Sequence, residues 1–211
     1  KVVVDNTFAS PILQHPLADG ADAVVYSTTK YIGGHSNVVG GAVLVNDPEV
    51  ADAWPSCRTP PAQCRLRSIG LDIRGLKHFG LRVRKHSANA LEIAQWLERR
   101  PEIERVWYPG LESHPGHEIA ARQMHGGFGG MIQCNLPAAE AAQRFASSTR
   151  LFTLAESLGG VESLIEVPAA MTHPLFQAQH SRFPPTSCVC PIGIEDDGDL
   201  IADLEQALQQ L

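Results

Sequence analysis

Tyr26-Ser27-Thr28-Thr29-Lys30-Tyr31-Ile32-Gly33-Gly34-His35-Ser36 is the stretch that decides the architecture. It continues the apolar run Ala23-Val24-Val25, turns polar from Ser27 to Lys30, and runs into glycines. A short apolar, β-branched run bounded by turn signals reads as a strand, predicted here over 21–27. The glycines after Ile32 oppose a helix. Upstream, Val2-Val3-Val4-Asp5 repeats the pattern, a β-branched run of the sort buried on both faces of a parallel sheet, with an acid at its carboxyl end. Residues 11–20 contain Pro11, Pro16 and Gly20 and leave room for a short crossover helix. The glycines then lead into a third strand, predicted over 42–45. Strand, short helix, strand with polar residues at the strand ends is α/β architecture, and ligands bind at those ends.

Farther along, residues 55–65, with Pro55, Pro60 and Pro61, read as a loop or linker. A long helix is predicted next, with Phe79, Val83, Ala90, Ile93 and Leu97 on one face. Residues 109–116 read as a turn, 118–124 and 138–147 as helices, and 130–136 and 163–167 as strands. Residues 174–191, rich in proline with Cys188 and Cys190, read as irregular. Leu200, Ile201, Leu204, Ala207, Leu208 and Leu211 form the apolar stripe of a closing amphipathic helix. A boundary near residue 70 separates a cofactor-type α/β part, 1–70, from an α+β part, 71–211.

The composition excludes several functions. At 44% hydrophobic and 19% charged, the 211 residues are those of a folded globular protein. The net charge is −6 with no basic stripe, so nucleic acid is not an expected partner. No apolar run approaches the roughly 20 residues of a membrane span. Five cysteines without an extracellular-type framework suggest a reducing, cytoplasmic setting with free thiols. The chain opens Lys1-Val2-Val3-Val4-Asp5 with no Met, inside a predicted strand, and is expected to be part of a longer protein.

The chemistry is expected at Asp5 and Ser27-Thr28-Thr29-Lys30. A lysine is ordinarily a solvated surface residue. One that follows a buried strand and leads into glycines is a candidate for Schiff-base chemistry, because burial favours the neutral amine. An acid at the neighbouring strand end suits a protonated pyridine nitrogen, and Ser27 and Thr29 offer hydroxyls to a phosphate. Ser27 and Lys30 also match the Ser-x-x-Lys spacing of penicillin-recognising acyl enzymes, but that motif needs a helical turn between them.

Three stretches together resemble the Cys/Met metabolism family of pyridoxal-phosphate enzymes. They are Val4-Asp5-Asn6-Thr7-Phe8, the segment 26–36 quoted above, and Leu154-Ala155-Glu156-Ser157-Leu158-Gly159-Gly160-Val161-Glu162-Ser163. Tyr108-Pro109-Gly110-Leu111, Ser113-His114-Pro115, Met171-Thr172-His173 and Gly193-Ile194-Glu195-Asp196 support it. The resemblance implies a fold-type I pyridoxal-phosphate transferase fold, here part of the large cofactor domain plus a smaller C-terminal domain. It implies pyridoxal 5'-phosphate as cofactor, with Lys30 as the catalytic lysine that carries it. Asp5 matches the acid facing the ring nitrogen, Ser27 and Thr29 the phosphate-binding hydroxyls, and Ser157 and Glu156 the substrate side. The acid at Glu156 points to cystathionine chemistry: γ-replacement or γ-elimination on homoserine esters or cystathionine, with a cystathionine γ-lyase or an O-acylhomoserine sulfhydrylase as alternatives. A small amino-acid substrate and a homotetramer follow from the same resemblance. A non-catalytic truncated homologue or oligomer subunit is the rival of another class.

Two departures stand against the pattern. Aligning on Gly193 puts Val189 where the family has the arginine that clamps the substrate carboxylate, and valine cannot make that pair. Arg182 substitutes only if the segment before it bends back. Residues 56–68 also lose the family's usual sequence, and both stretches fit a locally altered reading frame. The phosphate loop, the ring-stacking aromatic and the Tyr/Arg arm that the family carries upstream are not found in these residues. His114 and His117 present two imidazoles without a third metal ligand at a recognisable spacing, so no metal site is expected. His35 is expected to order the glycine loop, and Trp54, Trp96 and Trp107 to pack in cores or interfaces.

Overall fold

The structure, a computed structural model, describes residues 1–53, 66–171 and 184–211. The first sheet contains β1 (Val3–Asp5), β2 (Ala23–Ser27) and β3 (Gly41–Val45), in the order β1-β2-β3. β1 and β2 are parallel, with Asp5 beside Val25. β3 is antiparallel to β2, with Gly41 opposite Ser27. The connection between β2 and β3, residues 28–40, is taken up by the lysine turn and the glycine loop and carries no crossover helix, and the chain reverses.

β1 differs from expectation. Val3 is 58% exposed, so among the described residues its face of β1 is not covered, and β1 has a strand neighbour, β2, on one edge alone. The crossover helix shrinks to one turn, α1 (Ser10–Leu13). Pro16 and Gly20 follow in tight turns, with Ala18 and Asp19 amides donating to the His15 carbonyl.

After α2 (Pro48–Ala53), helix α3 (Leu66–Leu76) contains residue 70, where the part boundary was expected. α4 (Phe79–Glu98) buries Phe79, Val83, Ala90, Ile93 and Leu97, as its spacing requires. A second sheet pairs β4 (Arg105–Trp107), β5 (Met131–Asn135) and β8 (Ser187–Pro191) antiparallel, in the order β4-β5-β8. β6 (Thr153–Leu154) and β7 (Leu164–Ile165) form a short parallel pair, and a bridge between Glu166 and Val189 joins it to β8. Helices α5 (His117–Gln123), α6 (Ala139–Ser148) and α7 (Pro168–Met171) and the closing α8 (Asp197–Leu208) complete the chain.

β8 corrects the reading as irregular over 187–191, while 174–183 lie outside the described residues. All five of its residues are buried. A strand covered on both faces has no polar–apolar alternation to announce it. Cys188 and Cys190 face a core built from α4, β5, α6 and α8, which includes Ile93, Leu97, Ile132, Phe145, Leu200 and Leu204. Cys134, Cys188 and Cys190 are free thiols. α8 starts on Asp196, whose carboxylate accepts from the amides of Gly198 and Asp199. Within it, buried Asp203 accepts from the amides of Arg150, Leu151 and Phe152 and so anchors the approach to β6. A smaller cluster of Ala9, Leu13, Tyr31, Phe79 and Val83 seats the first sheet's turn against α4. Trp96 lies in the main core, and Arg105 stacks 3.7 Å over the Trp107 ring. Trp54 lies outside the described residues.

Candidate active site around Lys30

Ser27 ends β2 in an extended conformation, and the chain then makes one wide turn, Thr28–Ile32. The Gly33 amide reaches back five residues to the Thr28 carbonyl at 2.8 Å. Lys30 breaks the turn with φ −89° and ψ −127°. Ser27 and Lys30 therefore do not share a helical face, and the acyl-enzyme reading of their spacing falls.

From this kink the Lys30 Nζ donates to Ser157 Oγ at 3.0 Å. Ser157 lies on the loop after β6 and adopts φ +122°, a region that few side-chain-bearing residues enter. Gly159 brings this loop down on the lysine, since a Cβ there would stand 2.5 Å from the Tyr31 nitrogen and 3.0 Å from the Lys30 carbonyl carbon. Its φ of +78° also requires glycine. Glu156 and Ser157 line a cavity of about 570 Å³ together with Thr29, Thr153 and Glu162. Glu162 accepts from Ser36 Oγ at 2.6 Å, tying the glycine loop to the same wall.

Asp5 ends β1 on the neighbouring strand. Its Oδ1 accepts from the Thr7 amide at 3.0 Å and from Thr7 Oγ1 at 2.6 Å. Thr7 Oγ1 in turn accepts from the Ser27 amide at 2.9 Å, so Thr7 links the acid to the start of the lysine turn. Among the described residues, no hydrogen bond engages Asp5 Oδ2. Thr29 Oγ1 is occupied by Gly40, accepting from its amide at 3.0 Å and donating to its carbonyl at 3.3 Å. His35 donates from Nδ1 to the Gly33 carbonyl at 2.8 Å and so orders the glycine loop.

Lys30 and Ser157 thus meet, Glu156 and Thr29 share the cavity wall, and Asp5 connects to Ser27 through Thr7. Reading residues one at a time missed Thr7, Gly159 and Glu162, although all three stand inside the quoted motifs. Val189 is 8% exposed on β8, its amide and carbonyl both bonded to Glu166. By strand alternation it faces away from the Cys188 and Cys190 core. Arg182 lies outside the described residues, as do most of 56–68 and the Thr172-His173 part of the third supporting motif. His114 accepts from the Gly116 amide, and His117 donates to the Pro109 carbonyl, so each imidazole has a local structural use.

The donor set suits one cofactor class: a primary amine, a carboxylate with an uncommitted oxygen on the neighbouring strand, and a strand-end hydroxyl at Ser27. Such a set at the strand ends of this sheet defines an α/β, fold-type I pyridoxal-phosphate-dependent protein. The model of the Cys/Met metabolism PLP-dependent enzymes matches residues 1–209, and the chain belongs to that family. It is 52% identical over 210 residues to the cystathionine gamma-synthase of Mycobacterium leprae, covering 99% of this chain and 54% of that protein. Against the cystathionine beta-lyase of Lactococcus lactis subsp. cremoris the identity is 46% over 212 residues, covering 99% and 56%. The crystal structure of metB from Corynebacterium glutamicum superposes with a TM-score of 0.92 at 52% identity, covering 99% of this chain and 55% of that one. The chain spans about half the length of the curated relatives it matches. No helix among the described residues is long and apolar enough to cross a membrane.

Proposed function

We propose that this chain supplies the cofactor-lysine part of a sulfur amino acid enzyme acting on homoserine esters or cystathionine, with cystathionine γ-synthase chemistry as the first reading. The observation that carries it is the meeting of Lys30 with Ser157 beside Glu156, in a chain 52% identical to a cystathionine gamma-synthase. The cofactor domain part is assigned to 1–70 and the C-terminal part to 71–211. The complete protein acts on a small amino-acid substrate and assembles as a homotetramer in a cytoplasmic setting.

Pyridoxal 5'-phosphate, when bound, supplies the electron sink that makes a substrate α-carbon acidic. Lys30 Nζ would hold the cofactor, and as a free amine it would be the general base that takes and returns protons at the substrate carbons. Ser157 Oγ, on the cavity wall, would hold Nζ beside the substrate. Asp5 would supply the negative charge that favours a protonated ring nitrogen, with Thr7 fixing Oδ1. Ser27 and Thr29 would serve the phosphate, Thr29 while also holding the Gly40 backbone. Glu156, on the same cavity wall, would serve the substrate side.

A non-catalytic subunit is the second reading, and Val189 at the position of the carboxylate clamp favours it. The test is turnover by the full-length protein. O-acylhomoserine with cysteine yielding a thioether marks a synthase. 2-Oxobutyrate released from cystathionine marks a γ-lyase, and homocysteine formed from O-acylhomoserine and inorganic sulfide marks a sulfhydrylase. Silence in every assay supports the non-catalytic reading.

A further inference from the structure

The lysine turn is held from below by a side chain that the proposed chemistry does not use. Because Lys30 departs from helical geometry, the carbonyls that follow it lack the amides a continuing helix would provide. Gly34 donates to the Lys30 carbonyl, but among the described residues no backbone amide reaches the carbonyls of Tyr31 or Ile32 beyond the turn. Arg82, on the second turn of α4, fills that gap. Its Nη1 donates to Tyr31 O at 2.8 Å, and its Nη2 to Ile32 O at 3.2 Å and Gly75 O at 3.1 Å. Its Nε donates to His78 Nδ1 at 3.0 Å, and the Phe79 ring packs 5.8 Å from Cζ.

Arg82 is only 4% exposed and has no carboxylate partner among the described residues. Burying a guanidinium against carbonyl dipoles alone costs free energy, and burial accordingly lowers its pKa. Stability is therefore a poor account of why it is there. The space is also reserved for it: Gly34 turns with φ +72°, and a Cβ there would overlap the guanidinium. Gly159 packs against the Lys30 carbonyl carbon and the Tyr31 nitrogen. The serine loop thus rests on the peptide joining Lys30 to Tyr31, and Arg82 holds the two peptides that follow it.

We infer that Arg82 is a positioning residue for Lys30, fixing the peptide groups after the lysine so that its amine is delivered to Ser157. The inference rests on the proposed role of Lys30. Arg82 touches neither substrate nor cofactor; it acts through the backbone. Lysine cannot replace it, because a single ammonium cannot span three carbonyls on separate segments.

The test uses the full-length protein freed of cofactor, with Arg82→Lys and Arg82→Gln beside the wild type. The rate of pyridoxal phosphate capture, read from the absorbance of the lysine-bound cofactor, should fall about 10- to 100-fold in both variants. kcat should fall in step, KM should stay nearly unchanged, and guanidinium ion in solution should restore part of the capture rate in Arg82→Ala. Where Arg82→Gln fails to fold, Arg82→Lys, which keeps a cation on a long stem, carries the test. A folded Arg82→Lys with wild-type capture rate and kcat overturns the inference. So does a drop in melting temperature with rates unchanged, which marks Arg82 as a stabilising residue alone. Equal capture by wild type and Lys30→Ala defeats the role of Lys30 itself, a failure distinct from that of Arg82.

Discussion

Lys30 Nζ and Ser157 Oγ stand 3.0 Å apart although 127 positions separate them in the chain. One is delivered by a broken turn at the end of β2, the other by a loop held at a strained positive φ. A non-glycine residue at such a φ costs of order 1–3 kcal/mol and persists where surrounding structure over-determines it. The strain at Ser157 places its hydroxyl on the lysine, and this pairing sets the first expected outcome.

Ser157→Gly should relieve the backbone and raise stability by about 1 kcal/mol, while kcat/KM falls about 10-fold or more because the lysine loses its hydrogen bond. Ser157→Ala should lose activity similarly without the gain in stability. Urea denaturation and steady-state kinetics on the same preparations separate the two effects. A Ser157→Gly protein that is less stable and equally active contradicts the assignment.

Lys30→Ala should abolish cofactor-linked turnover in the full-length protein. Asp5→Asn, which keeps the shape and removes the charge, should raise the barrier by roughly 3 kcal/mol, about 100-fold in rate. Full γ-elimination or γ-replacement rates in Lys30→Ala would sink the proposed function.

Thr7→Val is nearly isosteric and removes the hydroxyl that bonds both Asp5 Oδ1 and the Ser27 amide. The expected cost is about 1 kcal/mol of stability for the lost hydrogen bonds, since Asp5 is exposed and Ser27 half-buried. Asp5 keeps its charge, so activity should fall less than in Asp5→Asn. Thermal melts and kcat on both variants decide the ranking.

Gly159→Ala introduces a Cβ 2.5 Å from the Tyr31 nitrogen at φ +78°. The loop must lift from the lysine turn, and a displacement near 1 Å should cost about 100-fold in kcat. Cofactor absorbance titrations should show weakened capture in parallel. Unchanged capture and turnover would mean that the close approach has no functional consequence.

His86 is 0% exposed, donates from Nδ1 to the Ile192 carbonyl at 2.6 Å, and lies edge-on to Tyr31. Burial first, then the Arg82 charge, brings its pKa from 6.5 to about 4, against the opposing effects of the Ile192 carbonyl, Glu195 and Glu162. Between those values the unfolded chain binds a proton that the folded chain refuses. This contribution to stability is therefore complete above pH 6.5 and is lost as the pH falls toward 4. The slope should approach about 1.4 kcal/mol per pH unit, about 3 kcal/mol in all. His86→Gln should flatten that slope in urea melts between pH 4.5 and 6.5; an unchanged slope rules out His86 as its source.

Much of this site is local in the chain and legible as such. A β-branched run followed by Ser27-Thr28-Thr29-Lys30 and two glycines specifies a strand ending on a lysine, because strand propensity, turn chemistry and the bar to helix act within a dozen residues. Asp5 is legible for the same reason, as the polar residue ending a second such run. The faces of α4 and α8 followed from their 3.6-residue spacing. What the amino-acid sequence determined by itself was therefore the class of element at each point, the lysine and its acid, and through the family's motifs the cofactor they suit.

The tertiary structure decided everything that depends on register between distant segments. It made β1 an exposed edge, reversed β3, and put β8 where composition suggested irregular chain. It also brought Ser157 and Gly159 down on the lysine turn and passed Arg82 beneath it. None of these leaves a periodic signal. Burial on both faces erases alternation in β8, and a side chain that bonds carbonyls some 50 residues away is bound to no spacing rule. Those long-range contacts form only when the lysine turn and the second sheet pack against α4, so Lys30 could be named from its neighbours in sequence, while the groups that aim it are its neighbours in space.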